Sequence, residues 1–314
     1  MPITTSDRRA LKAAAPILKW AGGKRQLLPA LRAHYPSSFG AYYEPFVGSA
    51  AVFFDLAARG CLADRDVVLA DVNGDLVGFY RTVRTRVGET IAVLRGLAQG
   101  HAIDPAAHYY RVRDHFNRAR RGLRERHDRW WDHYDPELAA MLLYLNRTGY
   151  NGLFRLNGGG DFNVPVGRYA RPTICDEPRL MTAARCLGER RLRLVCEPFA
   201  DVLAGARRGD FVYLDPPYAP VSATATFTRY TAGGFSSADQ RALQAVVVIL
   251  AERGCHVLLS NSTAAEIAAL YDSNDEVRRA GLQAIRVPAR RAINSNADRR
   301  GDVLEYLVTN VPGA

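Results

Sequence analysis

A chain of 314 residues, 48% of them hydrophobic, can bury one large α/β core, or a core with a second domain inserted in it. No apolar run is long enough to span a membrane, and the stretch Met1 to Ala15 lacks the continuous apolar segment of a signal peptide; it reads as a short disordered arm. The net charge of +10 suits a polyanionic partner, although many basic proteins bind none, so charge raises the question and motifs must answer it.

Five scattered cysteines (Cys61, Cys175, Cys186, Cys196, Cys255) form no C-x-x-C pair and have no histidine at zinc-ligand spacing, which predicts reduced thiols in a cytosol and no metal. Lysine occurs only at Lys12, Lys19 and Lys24. A chain that otherwise uses arginine but keeps lysine at 19 and 24 points to a need for a compact ammonium there.

In chain order, short apolar runs that end in loops with charged residues, Gly or Pro predict buried parallel strands at Tyr42–Phe46, Val67–Asp71, Leu192–Cys196, Phe211–Asp215, His256–Ser260 and Val303–Thr309. Helical patterns lie between many of them, which implies a doubly wound sheet. The clearest is Ser237–Arg253, with Ser237 and Gln240 expected to form a capping box and Gly254 to stop it. The stretch from Gly74 to Pro172 breaks the rhythm and reads as a mostly helical insert that ends in a hairpin-like loop. The expected domains are therefore a discontinuous catalytic unit, 1–73 with 173–314, and an inserted unit, 74–172. Within the insert, Tyr109, Val112, Phe116, Ala119 and Leu123 follow helical spacing, while eight arginines fall between Arg111 and Arg129. Those arginines fit a nucleic-acid surface or a solvated helix partly neutralised by Asp114, Glu125 and Asp128. The Gly/Asn-rich stretch from Asn146 to Tyr169 carries several turn signals.

Two places carry chemistry. At the first, Glu44-Pro45-Phe46-Val47-Gly48-Ser49 sits where a strand meets a helix, and small residues there let the backbone turn sharply and approach a ligand. Asp71 at the tip of the next strand is placed to accept hydrogen bonds from ribose hydroxyls. No G-x-G-x-x-G occurs, which counts against a nicotinamide dehydrogenase. The preceding Lys19-Trp20-Ala21-Gly22-Gly23-Lys24 could cover the ligand with Trp20 and meet a carboxylate with Lys24; a Trp that plugs the core is the plainer alternative.

The second is Asp215-Pro216-Pro217-Tyr218, at the carboxyl end of a buried strand, where doubly wound folds place ligands. A given tetrapeptide of this kind arises by chance in on the order of one chain in a thousand of this length. Its residue types suit a weakly nucleophilic amine such as adenine N6. Hydrogen bonds from the amine to the Asp215 carboxylate and the Pro216 carbonyl would concentrate density on nitrogen as it attacks. Tyr218 offers a ring for an extruded base to stack on.

With these pieces in order, the chain from Leu18 to Asn310 resembles the Dam-type (D12 class) DNA adenine methyltransferases. The resemblance rests on Lys19–Lys24, Glu44–Ser49, Ala70-Asp71-Val72-Asn73, the run Asn146–Arg155, Phe162–Tyr169, the Asp-Pro-Pro-Tyr box and Arg291–Ser295. It implies a Rossmann-like class I methyltransferase sheet of about seven strands with an inserted target-recognition domain. It also implies S-adenosyl-L-methionine as donor, leaving S-adenosyl-L-homocysteine, with no metal. The residues implied for the donor are Trp20, Lys24, Glu44, Phe46, Gly48, Asp71 and Asp215, and those for catalysis Asp215, Pro216 and Tyr218. For double-stranded DNA they are Arg147, Tyr150, Asn151, Leu153, Arg155 and Asn163, with Tyr150 wedging into the stack, Arg155 reading a guanine, and GATC or a related short sequence as the expected site. The segment Gly122–Pro136, with Trp130 and Trp131, departs from the pattern. The expected setting is a bacterial or phage-encoded cytoplasmic monomer, with or without a separate cognate restriction endonuclease. An RNA or other amine methyltransferase of the same fold, and a DNA-binding regulator that has lost catalysis, are the alternatives.

Overall fold

The computed structural model describes residues 14–20, 22–189, 191–219, 234–290 and 302–313. Three expectations fall wholly or mostly outside them: the arm Met1 to Ala15, the Arg291–Ser295 motif, and the mobile loop that the Ser-, Thr- and Gly-rich composition of Ala219–Phe235 predicts.

Among the described residues, seven strands form one sheet: β1 Tyr42–Glu44, β2 Val67–Ala70, β3 Leu192–Val195, β4 Phe211–Leu214, β5 His256–Ser262, β6 Gln283–Arg290 and β7 Asp302–Thr309. Their order is β3-β2-β1-β4-β5-β7-β6. The first five neighbours pair in parallel, whereas β7 runs antiparallel to both β5 and β6. Every residue of β2 and of β4 is buried, as a strand covered on both faces must be, which is why these strands read as unbroken apolar runs. β6 is the strand that the apolar-run criterion misses. It is an edge strand with Arg286 and Pro288 exposed, and an edge is where a proline can be tolerated.

Seven helices matter to the site: α1 Ala51–Ala58, α2 Gly74–Ile103, α3 Pro105–Arg126, α4 Pro136–Thr148, α5 Glu177–Leu187, α6 Phe199–Leu203 and α7 Ser237–Glu252. α7 ends as its sequence predicts. Gly254 takes φ 84°, its N–H donates to Ala251, and the Cys255 N–H donates to Leu250. Its start lies one residue earlier than the Ser237/Gln240 reading. The capping box is Ser236 with Asp239, each holding the other's backbone N–H, because a carboxylate serves that reciprocal bond as well as Glu or Gln. Gln240 is thereby released for another task.

The region after β2 is helical, as expected, and begins on a side-chain cap: Asn73 accepts the Asp75 N–H at 3.0 Å. α2 bends at Arg86, whose φ/ψ of −137°/36° is not helical. Asp104 and Asp135 cap α3 and α4, each followed by proline at the first helical position. Tyr109, Val112, Phe116 and Leu123 form the buried face of α3, and Ala119 packs beside them. After α4 the chain makes a short antiparallel hairpin, bridged at Gly149–Val166 and Leu156–Phe162. One continuous apolar cluster joins α2, α3, α4 and this hairpin to β1, β2 and β3. No described helix is long and apolar enough to cross a membrane.

The arginine-rich α3 is solvated on its outer face with one exception. Arg120 is 4% exposed, and its Nε lies 2.8 Å from both oxygens of Asp75, itself 1% exposed. Arg120 also donates to the Gly160 carbonyl at the hairpin tip, and Tyr134 donates to Asp75. This pair ties α3 to the first turn of α2 and to the hairpin. Arg120→Met leaves a buried carboxylate without its partner and should lower stability by ~3–5 kcal/mol, while Arg120→Met with Asp75→Leu should recover most of the loss. Urea unfolding of the two variants measures both.

Candidate active site

The strand order reverses between β1 and β4, which opens a crevice at their carboxyl ends. β1 delivers Glu44-Pro45-Phe46-Val47-Gly48 to it, β2 delivers Asp71 and β4 delivers Asp215.

On the β1–β2 side, the turn is held from within. Glu44 is 2% exposed and accepts from the Tyr42 hydroxyl at 2.9 Å and from the Phe53 N–H at 3.1 Å. It thus locks the end of β1 to the first turn of α1, and burial pushes its carboxyl up to about 8. Asp71 accepts from the Asn73 N–H at 2.9 Å and from the Gly48 N–H at 3.3 Å. Burial raises its pKa to about 6, with those backbone donors opposing the rise. The Gly48 carbonyl accepts from Tyr80 of α2 at 2.9 Å. Gly48 has φ 44°, and a Cβ there would stand 2.9 Å from Cδ1 of Trp20, so the indole lies directly on this glycine. Beside the turn, Phe46, Phe199 and Phe235 meet in a triad, with ring centroids 5.5 to 6.2 Å apart.

On the β4 side, Lys24 Nζ lies 2.8 Å from Asp215 Oδ1 and donates to the Gly22 carbonyl at 2.6 Å. The ammonium also sits 4.5 Å from the centroid of the Tyr218 ring. Ser260 donates to the same Asp215 oxygen at 3.2 Å. Burial raises the Asp215 pKa, while Lys24 and the Ser260 hydroxyl hold it down. Tyr218 donates to Glu305 of β7 at 2.8 Å. The rest of the box is gripped through its carbonyls: Gln240 donates to Pro217 at 3.0 Å and Ser262 donates to Ala219 at 2.8 Å.

The hairpin after α4 reaches the same crevice through Lys19 and Trp20. Asn146, 3% exposed, accepts the Lys19 N–H at 2.8 Å and donates to the Lys19 carbonyl at 2.7 Å and to the Gly152 carbonyl at 3.0 Å. Its amide substitutes for a peptide group between two backbone segments. Gly152, at φ 63°, has no room for a Cβ, which would meet Lys19 Cβ at 2.6 Å. Trp20 stacks on Phe154 with centroids 5.5 Å apart, and the Lys19 ammonium lies 4.1 Å from the Tyr169 ring. Tyr150 is 45% exposed at the loop's end, next to Asn151 in the left-handed region at φ 53°. Arg155 is exposed, with its Nε 2.7 Å from Asn163 Oδ1.

The structure therefore brings Trp20, Lys24, Gly48, Asp71, Asp215, Pro216 and Tyr218 around one crevice, with Phe46 at its edge. Glu44 faces the protein interior, supporting the turn. Tyr150, Asn151, Arg155 and Asn163 share the exposed loop, whereas Leu153 packs against the core. Arg147 is placed differently: its guanidinium donates to the Ile17 carbonyl at 2.6 Å and is largely enclosed, joining α4 to the N-terminal segment. Lys24 was expected to meet a ligand carboxylate, and the carboxylate it meets here is Asp215. Sequence reading did not single out Gln240 as a support of the box, nor Ser260, Glu305, Tyr80 or Phe199. Only Phe199 carried a signal, since Glu197-Pro198-Phe199 after β3 repeats the Glu44-Pro45-Phe46 that follows β1. No described group of three or more His, Cys, Asp or Glu residues could hold a metal ion. Another cleft, of about 840 Å³, opens at the amino-terminal ends of β1 to β4, between Arg65, Arg191, Arg193 and Arg207 on one hand and Asp64, Asp66 and Asp210 on the other.

Residues 20–293 match the model of the D12 class N6 adenine-specific DNA methyltransferases. The chain is 36% identical over 296 residues to the DNA adenine methylase of Escherichia coli strain K12, covering 94% of this chain and 95% of that protein. It is 35% identical over 306 residues to the type II methyltransferase M.MjaIII of Methanocaldococcus jannaschii, covering 94% and 98%. To the type II methyltransferase M1.LlaDCHI of Lactococcus lactis subsp. cremoris it is 33% identical over 295 residues, covering 94% and 95%.

Glu44 gives the apo protein a pH signature. Its folded-state pKa of about 8 stands above the usual 4.5, so the folded protein holds the extra proton between those values. The associated stability is complete below the lower value and is lost as pH rises through the upper one. The urea midpoint should fall between about pH 5 and about pH 8.5, and Glu44→Gln should flatten that fall.

Proposed function

Because the chain belongs to the D12 class N6 adenine-specific DNA methyltransferases, we propose that it methylates N6 of an adenine flipped out of duplex DNA, with S-adenosyl-L-methionine as donor. The observation that carries this reading is Asp215-Pro216-Pro217-Tyr218 at the carboxyl end of β4, with Asp215 held 2.8 Å from Lys24 across the crevice from Asp71 and Gly48.

The residues present fit the donor. Asp71 is a carboxylate at the tip of β2, backed by two N–H groups and placed for a ribose diol. The indole of Trp20 over Gly48, with Phe46 at the edge, makes a cradle that excludes a side chain at position 48. When bound, S-adenosyl-L-methionine supplies a methyl group made electrophilic by the sulfonium that carries it, and S-adenosyl-L-homocysteine is left.

The chain's own groups prepare the acceptor. The adenine amine is a poor nucleophile because its lone pair is delocalised into the ring. Asp215 and the Pro216 carbonyl accept hydrogen bonds from its two N–H groups and localise that pair on nitrogen. As positive charge builds on nitrogen these bonds strengthen, so they favour the transition state over the ground state. Lys24 opposes the effect of burial on Asp215 and so favours the carboxylate form that accepts. The Tyr218 ring, fixed by Glu305, stacks on the base, a contact worth roughly 1–3 kcal/mol. Extrusion costs a few kcal/mol, which insertion of Tyr150 into the vacated stack offsets. Arg155 reads a flanking guanine after release from Asn163, which then joins Asn151 at the DNA surface. The duplex is taken by a monomer in a bacterial cytoplasm, as a partner of a restriction endonuclease or alone, and GATC is the site to be tested first.

Methyl transfer from labelled donor to unmethylated genomic DNA, with modified positions mapped by single-molecule sequencing, tests the function and identifies the site together. N6-methyladenine at one short motif is the expected result; donor binding without DNA methylation would redirect the assignment to RNA or another amine. Asp215→Ala should reduce the rate at least ~100-fold with the circular dichroism spectrum unchanged. Arg155→Ala should relax the choice at one flanking base by roughly 1–3 kcal/mol, read from competing substrates that differ at that base.

A further inference from the structure

The box Asp215-Pro216-Pro217-Tyr218 has a weakness built into its composition. Two successive prolines remove two backbone N–H groups, so this loop cannot hold itself by the turn hydrogen bonds that an ordinary loop would make. Its carbonyls have to be gripped from outside. At Pro217 that donor is the Nε2 of Gln240, 3.0 Å away on the first turn of α7 and 1% exposed.

A glutamine amide can face a carbonyl with either end, and only its NH2 end donates. Here the choice is forced. Asn261 on β5, fully buried, donates its Nδ2 to Gln240 Oε1 at 3.1 Å, while its own Oδ1 is held by the Ser262 N–H at 2.8 Å. The Ser262 backbone therefore fixes Asn261, Asn261 fixes Gln240, and Gln240 presents a donor to Pro217. We propose that Gln240 is a positioning residue for methyl transfer: it sets the direction of the peptide between Pro217 and Tyr218, and through it the Pro216 carbonyl and the Tyr218 ring that receive the adenine. Asn261 acts through Gln240. This inference rests on the function proposed above.

Gln240→Met keeps length and burial and removes the donor. It should lower kcat between ~10- and ~100-fold, the size of effect expected from an acceptor site displaced by a fraction of an ångström to an ångström. S-adenosyl-L-homocysteine, used as the binding probe, should keep its Kd within about twofold, because Gln240 grips the box at Pro217, beyond Asp215, while Asp71 and Gly48 belong to the β1–β2 side. Gln240→Glu adds a signature that a packing role would not give. An ionised glutamate accepts from Asn261 but has nothing to donate to Pro217, whereas its protonated form can donate. Its kcat relative to wild type should therefore climb as pH falls, while the Gln240→Met ratio stays flat. Asp215, Glu305 and Lys24 face the box in both proteins, so the ratio isolates the change at position 240. A Gln240→Met enzyme with kcat within about twofold of wild type overturns the proposal. So does a fall in kcat matched by equal loss of probe binding, or a Gln240→Glu ratio that does not move with pH. If the glutamate variant does not fold, the methionine variant decides alone. Wild-type activity on unmethylated duplex is read in the same assay. Its absence defeats the functional reading and this one together, while an active wild type beside an active Gln240→Met defeats only this one.

Discussion

A carboxylate at the end of a buried strand keeps its charge only where a partner compensates for lost water, and for Asp215 that partner is Lys24, whose Nζ lies 2.8 Å away. The pair joins the segment before the first strand to β4, two stretches almost two hundred residues apart in sequence. Without it Asp215 would be driven toward its neutral form, which donates where the proposed chemistry needs an acceptor. A compact ammonium suits the place. Lys24 is 5% exposed and meets a carbonyl, a carboxylate and an aromatic face at once, and the flat fork of an arginine would not fit those three directions.

The same N-terminal segment connects the two halves of the molecule. Lys19 is clamped by Asn146 beside Gly152, Trp20 lies between Gly48 and Phe154, and Lys24 follows at Asp215. This six-residue segment therefore touches the β1 turn, the hairpin after α4 and the end of β4. The hairpin is held in turn by Arg120, which reaches from α3 to Asp75 at the start of α2 and to Gly160. Asp75 lies four residues beyond Asp71, so the buried charges of the insert brace the same corner of the sheet that carries Asp71. The continuous apolar cluster beneath them makes the insert an extension of the sheet's core.

How far each feature could be read in advance follows from how local its cause is. β2 and β4 were legible because a strand buried on both faces has to be apolar throughout. β6 was not, since an antiparallel edge strand carries exposed arginine and proline and loses that signature. The end of α7 was legible in Gly254, but its start was displaced by one residue, because adjacent serines offer two caps and only the pairing of Ser236 with Asp239 chooses between them. Arg147 and Arg120 illustrate the limit for charges. In the sequence they resemble the other arginines of the insert, and only packing shows one turned onto Ile17 and the other onto Asp75.

By itself the sequence determined which motifs stand at the strand ends. Asp215-Pro216-Pro217-Tyr218, Asp71 and the Gly48 turn are short contiguous motifs whose residue types are dictated by what each must hold, and their positions after apolar runs place them at one edge of the sheet. Only the tertiary structure decided the supports. Ser260, Asn261, Gln240 and Glu305 come from three elements, and Asn146 from a fourth, with no common spacing to betray them. A polar side chain that satisfies a buried carbonyl is chosen by a partner far away in sequence, so its meaning exists only once the chain has folded.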